Sequence, residues 1–249
     1  MATNVSGTQA ARSSRNRILC WIEALALGVI VPAGILGIDK LMSASIFAAT
    51  HGSVEQRFLL WVSHGMIVEW ALVAAVWVAL RWRGSSFKDL GVWRFGTWYA
   101  WVLALALAAL SIANNLRFFG FLHIPVSNAF FPRGFHLIAS LMIGTTAAFC
   151  EEVLFRAFLM TEFARAGYGK LMQVLVPGLA FGLAHAGYWN QGWYAWLGIA
   201  VPTAILGMLW GVAYLPGRRG LVPVMVAHFL NDATALSWLL FLPFTMAPR

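Results

Sequence analysis

Glu151 and Glu152 are adjacent carboxylates inside a long apolar run, and Arg156 follows one helical turn later. Insertion scales charge about 2.5–3.5 kcal/mol for each such residue at a helix centre. Three of them facing hydrocarbon would oppose insertion, so they must face a protein interior or a wet cavity. At i,i+4 spacing Glu152 and Arg156 share a helix face and can pair. Glu151 lies about 100° further round the axis and is left to face something else. Two carboxylates this close in a dry site cannot both ionise cheaply. With Arg156 holding Glu152 as the anion, Glu151 is the candidate general base. The bland alternative is a buried ion-pair network that only holds helices together.

Two histidine motifs follow. His185 comes four residues after Phe181 on the next apolar segment. Counted from Tyr168 in the intervening turn, Glu151 is 17 residues back and His185 is 17 forward. In an antiparallel hairpin equal arms bring equal depths, which predicts that Glu151 and His185 face each other. On the last apolar segment His228 is followed by Asn231 at i+3 and Asp232 at i+4, both able to share its face. Pro223 and the basic pair Arg218 and Arg219 put His228 about two turns from that membrane face, the depth expected for Glu151. Glu23, His64, Glu69, Asn114 and Asn115 have no spacing that implies chemistry and are read as interhelical hydrogen-bonding groups. His136 and Asn190, near helix ends, are candidates for an access route.

The elements that must position these groups are membrane helices. Of 249 residues, 61% are hydrophobic and 10% charged, against about 25% charged in an ordinary soluble domain; mean hydropathy is +0.75. The fold class is all-α, a polytopic membrane helical bundle of about seven spans, with six to eight accommodated. A polar segment, 1–17, precedes spans predicted at 18–37, 58–80 and 97–115, a Phe/Pro-rich connection to 133, and four core helices at 134–166, 171–187, 193–215 and 221–241. Residues 18–133 thus form an N-terminal part and 134–243 the candidate catalytic core of one integral-membrane domain, 18–243. The 134–166 helix is too long for one crossing, so its polar end should project. Gly207 and Gly211 form a GxxxG packing face, with Gly198 further back. Pro177, Pro202 and Pro223 are expected to kink helices or loosen their hydrogen bonds. The net charge of +8 is read as loop lysines and arginines that set orientation, not as nucleic-acid binding. Eleven of the 17 basic residues fall on one side of the predicted topology, which puts the N-terminus in the cytoplasm. Cys20 and Cys150 form no disulfide framework or metal pair.

Taken in order, Glu151-Glu152-x-x-x-Arg156, Phe181-x-x-x-His185 and His228-x-x-x-Asp232 resemble the CPBP family of CAAX-protease and bacteriocin-processing intramembrane proteases, related to type II CAAX prenyl endopeptidases. The resemblance covers roughly 134–240. It implies a helical core with a site between helices, in which Glu151 with His185 activates a water. His228 and the polar residue at i+4 would stabilise the oxyanion, and Arg156 would orient the Glu152 side of the pair. The family often carries Asn where this chain has Asp232. An ionised aspartate would repel an oxyanion, so Asp232 is protonated, or it orients His228, or Asn231 supplies the amide. A zinc peptidase with Glu151, His185 and His228 as ligands is the alternative; no HExxH is present, and a metal-free mechanism with no cofactor is preferred.

The expected function is therefore an intramembrane endopeptidase in a bacterial cytoplasmic membrane. Its partners would be the lipid bilayer and a membrane-associated peptide or protein tail, with a lipidated tail among the candidates. The alternative is a non-enzymatic scaffold or bacteriocin-immunity protein on the same fold. A transporter would call for repeats or paired broken helices that the sequence does not show.

Overall fold

A chain this apolar must close its backbone hydrogen bonds within itself once it is in lipid, and helices do so segment by segment. The computed structural model describes residues 17–31, 52–121, 123–185 and 193–246, with helices and connections but no strand among them. Helix α1 covers 17–31 and includes a π-helical turn at Ala26–Ile30. Helix α2 is Val54–Trp82, and its first turn is closed by a capping box. There the Ser53 Oγ accepts from the Gln56 N–H at 3.3 Å, and the Gln56 Oε1 accepts from the Ser53 N–H at 2.9 Å. Helix α3 is Trp98–Phe121 and α4 the single turn Ser127–Phe130. Helix α5 is Phe135–Arg165, followed by α6 at Lys170–Ala184 and α7 at Trp193–Tyr214. Helix α8 covers 222–246.

Four helices are long and apolar enough to cross a membrane: Val54–Trp82, Trp98–Phe121, Phe135–Arg165 and, within α7, Leu197–Tyr214. The expected count of about seven is therefore met only in part. The segments predicted at 171–187 and 221–241 exist as α6, of 15 residues, and as α8, but neither meets that length and apolarity. The span predicted at 18–37 is described only as far as residue 31.

Helix α5 is the centre of the bundle. In its apolar window 56% is buried, against 18–39% in the other three long helices. Helices α2, α6 and α8 all pack on it. The outer faces of α2, α3 and α7 expose Ile67, Trp70, Trp77, Leu110, Val201 and Ile205. So much apolar surface would be a liability in water and is the face a helix gives to lipid.

The closest packing is between α6 and α7, and it rests on glycines. A Cβ on Gly182 would lie 2.4 Å from the Ala200 carbonyl oxygen, and one on Gly178 would lie 2.4 Å from Met208 Cγ. Gly207 sits against Phe181, where a Cβ would meet Cδ1 at 2.8 Å. Gly211 has only ordinary contacts and Gly198 has nothing within 4 Å. The packing face is therefore Gly178, Gly182 and Gly207, not the whole Gly198–Gly207–Gly211 row predicted. Pro177 and Pro202 lie inside their helices. Pro223 does not: it falls in the first turn of α8, where its missing N–H is no loss.

One end of the bundle collects Arg17 and the basic residues of the α2–α3, α5–α6 and α7–α8 connections. Arg17 Nε donates to the Ala166 carbonyl at 3.3 Å. Arg83 pairs with Glu23 of α1 and lies 3.6 Å from Glu162 of α5. Glu23 is thus an ion-pair partner at a helix end. Gly182→Ala should lower stability by about 1–3 kcal/mol through overpacking, whereas Gly198→Ala should leave it unchanged. Thermal unfolding in detergent micelles reads both.

Candidate active site

The acidic motif coincides with a break in helix α5. Phe135–Glu151 is α-helical, Glu152–Leu159 is π-helical, and Met160–Arg165 returns to α. A π segment bonds i→i+5 instead of i→i+4 and is often found at functional sites. Helix α8 repeats the device. Val222–Asn231 is α-helical and Asp232–Leu236 is π-helical. Each break begins beside a motif carboxylate, immediately after Glu151 on α5 and at Asp232 on α8. Sequence periodicity carries no signal for either.

Glu152 and Arg156 pair as their spacing predicts, with Nη1 3.0 Å from Oε1 and side-chain exposures of 0% and 1%. The guanidinium is also fixed by two other groups. Its Nη2 donates to the Gly207 carbonyl at 3.2 Å, and its plane lies 4.5 Å from the Phe181 ring centroid. Helices α5, α6 and α7 thus meet on one cation. Phe181 is itself buried and packs edge-on against Phe155 at 5.1 Å.

His228 is the histidine at the centre. Its Nδ1 is 2.8 Å from Glu152 Oε1. Its Nε2 faces two carboxylates, Asp232 Oδ2 at 3.3 Å and Glu151 Oε2 at 3.6 Å. Trp210 of α7, fully buried, lies nearly parallel to the imidazole at 6.1 Å. The Asn231 Nδ2 donates to Asp232 Oδ1 at 2.7 Å. Asn231 and Asp232 are therefore bound to each other, and Asp232 in turn to His228. Of the carboxylates around His228, Glu151 keeps the most exposure, 17% of its side chain against 7% for Asp232 and 0% for Glu152.

His185 stands differently from the prediction. Helix α6 ends at Ala184 with His185 as its C-cap, and the His185 Nδ1 is 2.8 Å from the Phe181 carbonyl. The ring is half-buried, 5.1 Å from the Phe181 ring. It shares the electrostatic surroundings of Glu151. Among the described residues, however, no hydrogen bond or ion pair joins the two, and it is His228 that touches Glu151. The hairpin count brings His185 within electrostatic reach of Glu151, with no direct bond between them among the described residues.

Glu69 of α2 belongs to these surroundings too, although its spacing gives no hint of it. The charges of Glu151, Asp232 and His228 reach it, and its Oε2 is buried without a hydrogen bond. The Trp70–Phe149 stack, 5.4 Å between centroids, fixes this part of α2 against α5. His136 is not part of the site; it is buried against Trp238 at 3.6 Å in a separate aromatic cluster with Phe135 and Phe241. Asn190 lies outside the described residues. Among the described residues no three His, Cys, Asp or Glu side chains are disposed to hold one metal ion, so the Glu151–His185–His228 ligand set has no ready-made geometry.

Paired carboxylates, an arginine and histidines are thus gathered inside a bundle whose longest helices are apolar enough to cross a membrane. Residues 132–234 match the family model described as Type II CAAX prenyl endopeptidase Rce1-like. That stretch runs from the start of α5 to just past Asp232 and contains all three motifs, and this part of the chain belongs to the CAAX-protease family. No curated protein and no solved structure matches the chain. The match over this part of the chain points to a protease of the CAAX type, and the long apolar helices point to an integral-membrane protein.

Removing one partner of a buried ion pair costs about 3–5 kcal/mol because the other charge is stranded. Arg156→Met should therefore destabilise strongly in thermal unfolding. Adding Glu152→Gln to it should restore most of the loss.

Proposed function

We propose that the chain is a glutamate-dependent endopeptidase that cuts a peptide bond in a membrane-associated tail without a metal. Glu151 takes a proton from water as the hydroxide adds to the substrate carbonyl. It then returns that proton to the leaving amine. His185, at the same depth on the end of α6, orients the water. His228, whose Nε2 faces Asp232 and Glu151 in the free protein, turns its Nε2–H to the carbonyl oxygen as it becomes an oxyanion, the stage at which a donor is most effective. Asp232 orients His228, and Asn231 holds Asp232. Arg156 keeps Glu152 in place behind the imidazole.

The observation that carries this reading is the contrast between the two adjacent glutamates. Glu152 is sealed and engaged by both Arg156 and His228. Glu151 is partly exposed, and its only ion-pair contact among the described residues is His228 at 3.6 Å. One is built to hold and the other is left to react. The clustering of basic residues at one end supports a cytoplasmic N-terminus, in what we take to be a bacterial membrane.

The test is cleavage of a membrane-tethered peptide library by purified protein, with and without a strong chelator. Glu151→Gln should lower the rate by about 10²–10⁴-fold, the usual worth of a general base, while the chelator has no effect. Activity that survives Glu151→Gln would sink the mechanism. Chelator inhibition reversed by zinc would turn Glu151, His185 and His228 into ligands. Cleavage by no form would favour the scaffold or immunity protein. Asp232→Asn retains an oxygen for His228 and should lower kcat by about tenfold with KM unchanged, whereas Asp232→Leu should lower kcat much further.

A further inference from the structure

The α2–α3 and α7–α8 connections meet at the arginine-rich end, backbone against backbone. A Cβ on Gly91 would lie 2.4 Å from the Arg219 carbonyl oxygen, and one on Gly220 would lie 2.4 Å from the Gly96 nitrogen. The Leu221 N–H donates to the Gly91 carbonyl and the Val222 N–H to the Arg94 carbonyl, both at 3.3 Å. Between the loops is a cavity of about 370 Å³ lined by Trp93, Arg94, Phe95, Gly96, Gly217 and Arg218.

Arg218 and Arg219 both adopt left-handed backbone, at φ 51° and 59°. Non-glycine residues in that region are strained, and such strain is concentrated at ligand clamps and active sites. Here it sends two neighbouring arginines in opposite directions. Arg219 turns inward to Gln173 Oε1 and lies over Tyr214. Arg218 is exposed and lines the cavity with Arg94, also exposed. Neither has an acidic partner among the described residues. The nearby Asp89 carboxylate is taken by the Ser86 N–H and hydroxyl, both at 2.8 Å. Around the cavity Trp93, Phe95 and Trp98 are 64%, 71% and 75% exposed. The α2–α3 loop joins two helices apolar enough to cross a membrane, so Phe95 and Trp98 stand at headgroup level, where aromatic belts form, while Trp93 stacks on Phe149 of α5 at 6.0 Å.

We propose that this cavity is a binding site for the phosphate of an anionic phospholipid. Arg94 and Arg218 grip the phosphate, for which the planar guanidinium fork is well shaped. Trp93 and Phe95 cover the glycerol and the upper acyl chain. The site lies at the entrance to α8, whose Val222 N–H is tied to Arg94 six residues before His228. It is independent of the protease reading and can be tested without activity.

Full-length protein in detergent is incubated with phosphatidylglycerol or phosphatidylcholine, and retained lipid is counted by native mass spectrometry. Wild type should retain phosphatidylglycerol at least fivefold over phosphatidylcholine, with the preference lost in high salt. Arg94→Gln/Arg218→Gln should abolish the preference, while Arg117→Gln/Arg133→Gln, at the other end of the bundle, should keep it. Equal retention of the two lipids by wild type overturns the proposal whatever the variants do, as does undiminished preference in the Arg94/Arg218 variant. Inorganic phosphate that displaces the lipid at millimolar concentration overturns the lipid assignment in favour of a free-anion site. Displacement by a short peptide with a free, but not an amidated, C-terminus overturns it in favour of a peptide site.

Discussion

The structure depends on one buried cation. Arg156 has almost no contact with solvent, and everything around it is placed to make that tolerable: Glu152 on its own helix, the Gly207 carbonyl from α7 and the face of Phe181 from α6. A buried ion pair seldom adds net stability, because desolvation cancels most of the attraction. What it does add is register. A charge that can be satisfied in only one arrangement of three helices excludes the sliding and rotation that an apolar interface permits. Glu152, held this way, then presents its Oε1 to His228 and fixes the orientation of the imidazole on the fourth helix, α8.

The small residues serve the same end. Arg156 can reach a backbone carbonyl on α7 only because Gly207 has no side chain in the way, and the ring of Phe181 fills the place where one would be. On α6, Gly178 and Gly182 let the two helices approach until atoms of α7 lie within van der Waals reach of bare backbone. In lipid no hydrophobic force separates helices from solvent, so close backbone approach is a main source of cohesion. Packing and polar satisfaction are here two results of one approach distance.

Much of this is legible in the sequence because membrane insertion makes polar residues informative. Glu151, Glu152, Arg156, His228, Asn231 and Asp232 stand out from their apolar surroundings, and i,i+4 spacing correctly pairs Glu152 with Arg156 and His228 with Asp232. The tie between Asn231 and Asp232 is of a different kind, since neighbours in sequence rarely face each other on a helix. What counting does not reveal is the contact of Glu151 with His228. Depth follows from residue number, but facing follows from where a helix ends, and α6 ends at His185. Glu69 escapes for a related reason: its place near Glu151 is set by the rotation of α2 against α5, which no local pattern encodes. The seven-span expectation shares the weakness, since composition marks apolar segments without saying whether each is long enough to cross.

The π-helical segments of α5 and α8 have a consequence for hydration. Where an α-helix passes into a π-helix, the shift from i→i+4 to i→i+5 bonding leaves a main-chain carbonyl without its regular partner. In hydrocarbon such a group must find a neighbouring side chain or a water molecule. Helices α5 and α8 each place this junction beside a motif carboxylate, at Glu151–Glu152 and at Asn231–Asp232. The main chain therefore adds unpaired polar groups beside Glu151–Glu152 and beside Asn231–Asp232. A hydrolase embedded in oil must draw its second substrate from the aqueous phase, and here the main chain shares with the side chains the task of keeping that substrate at hand.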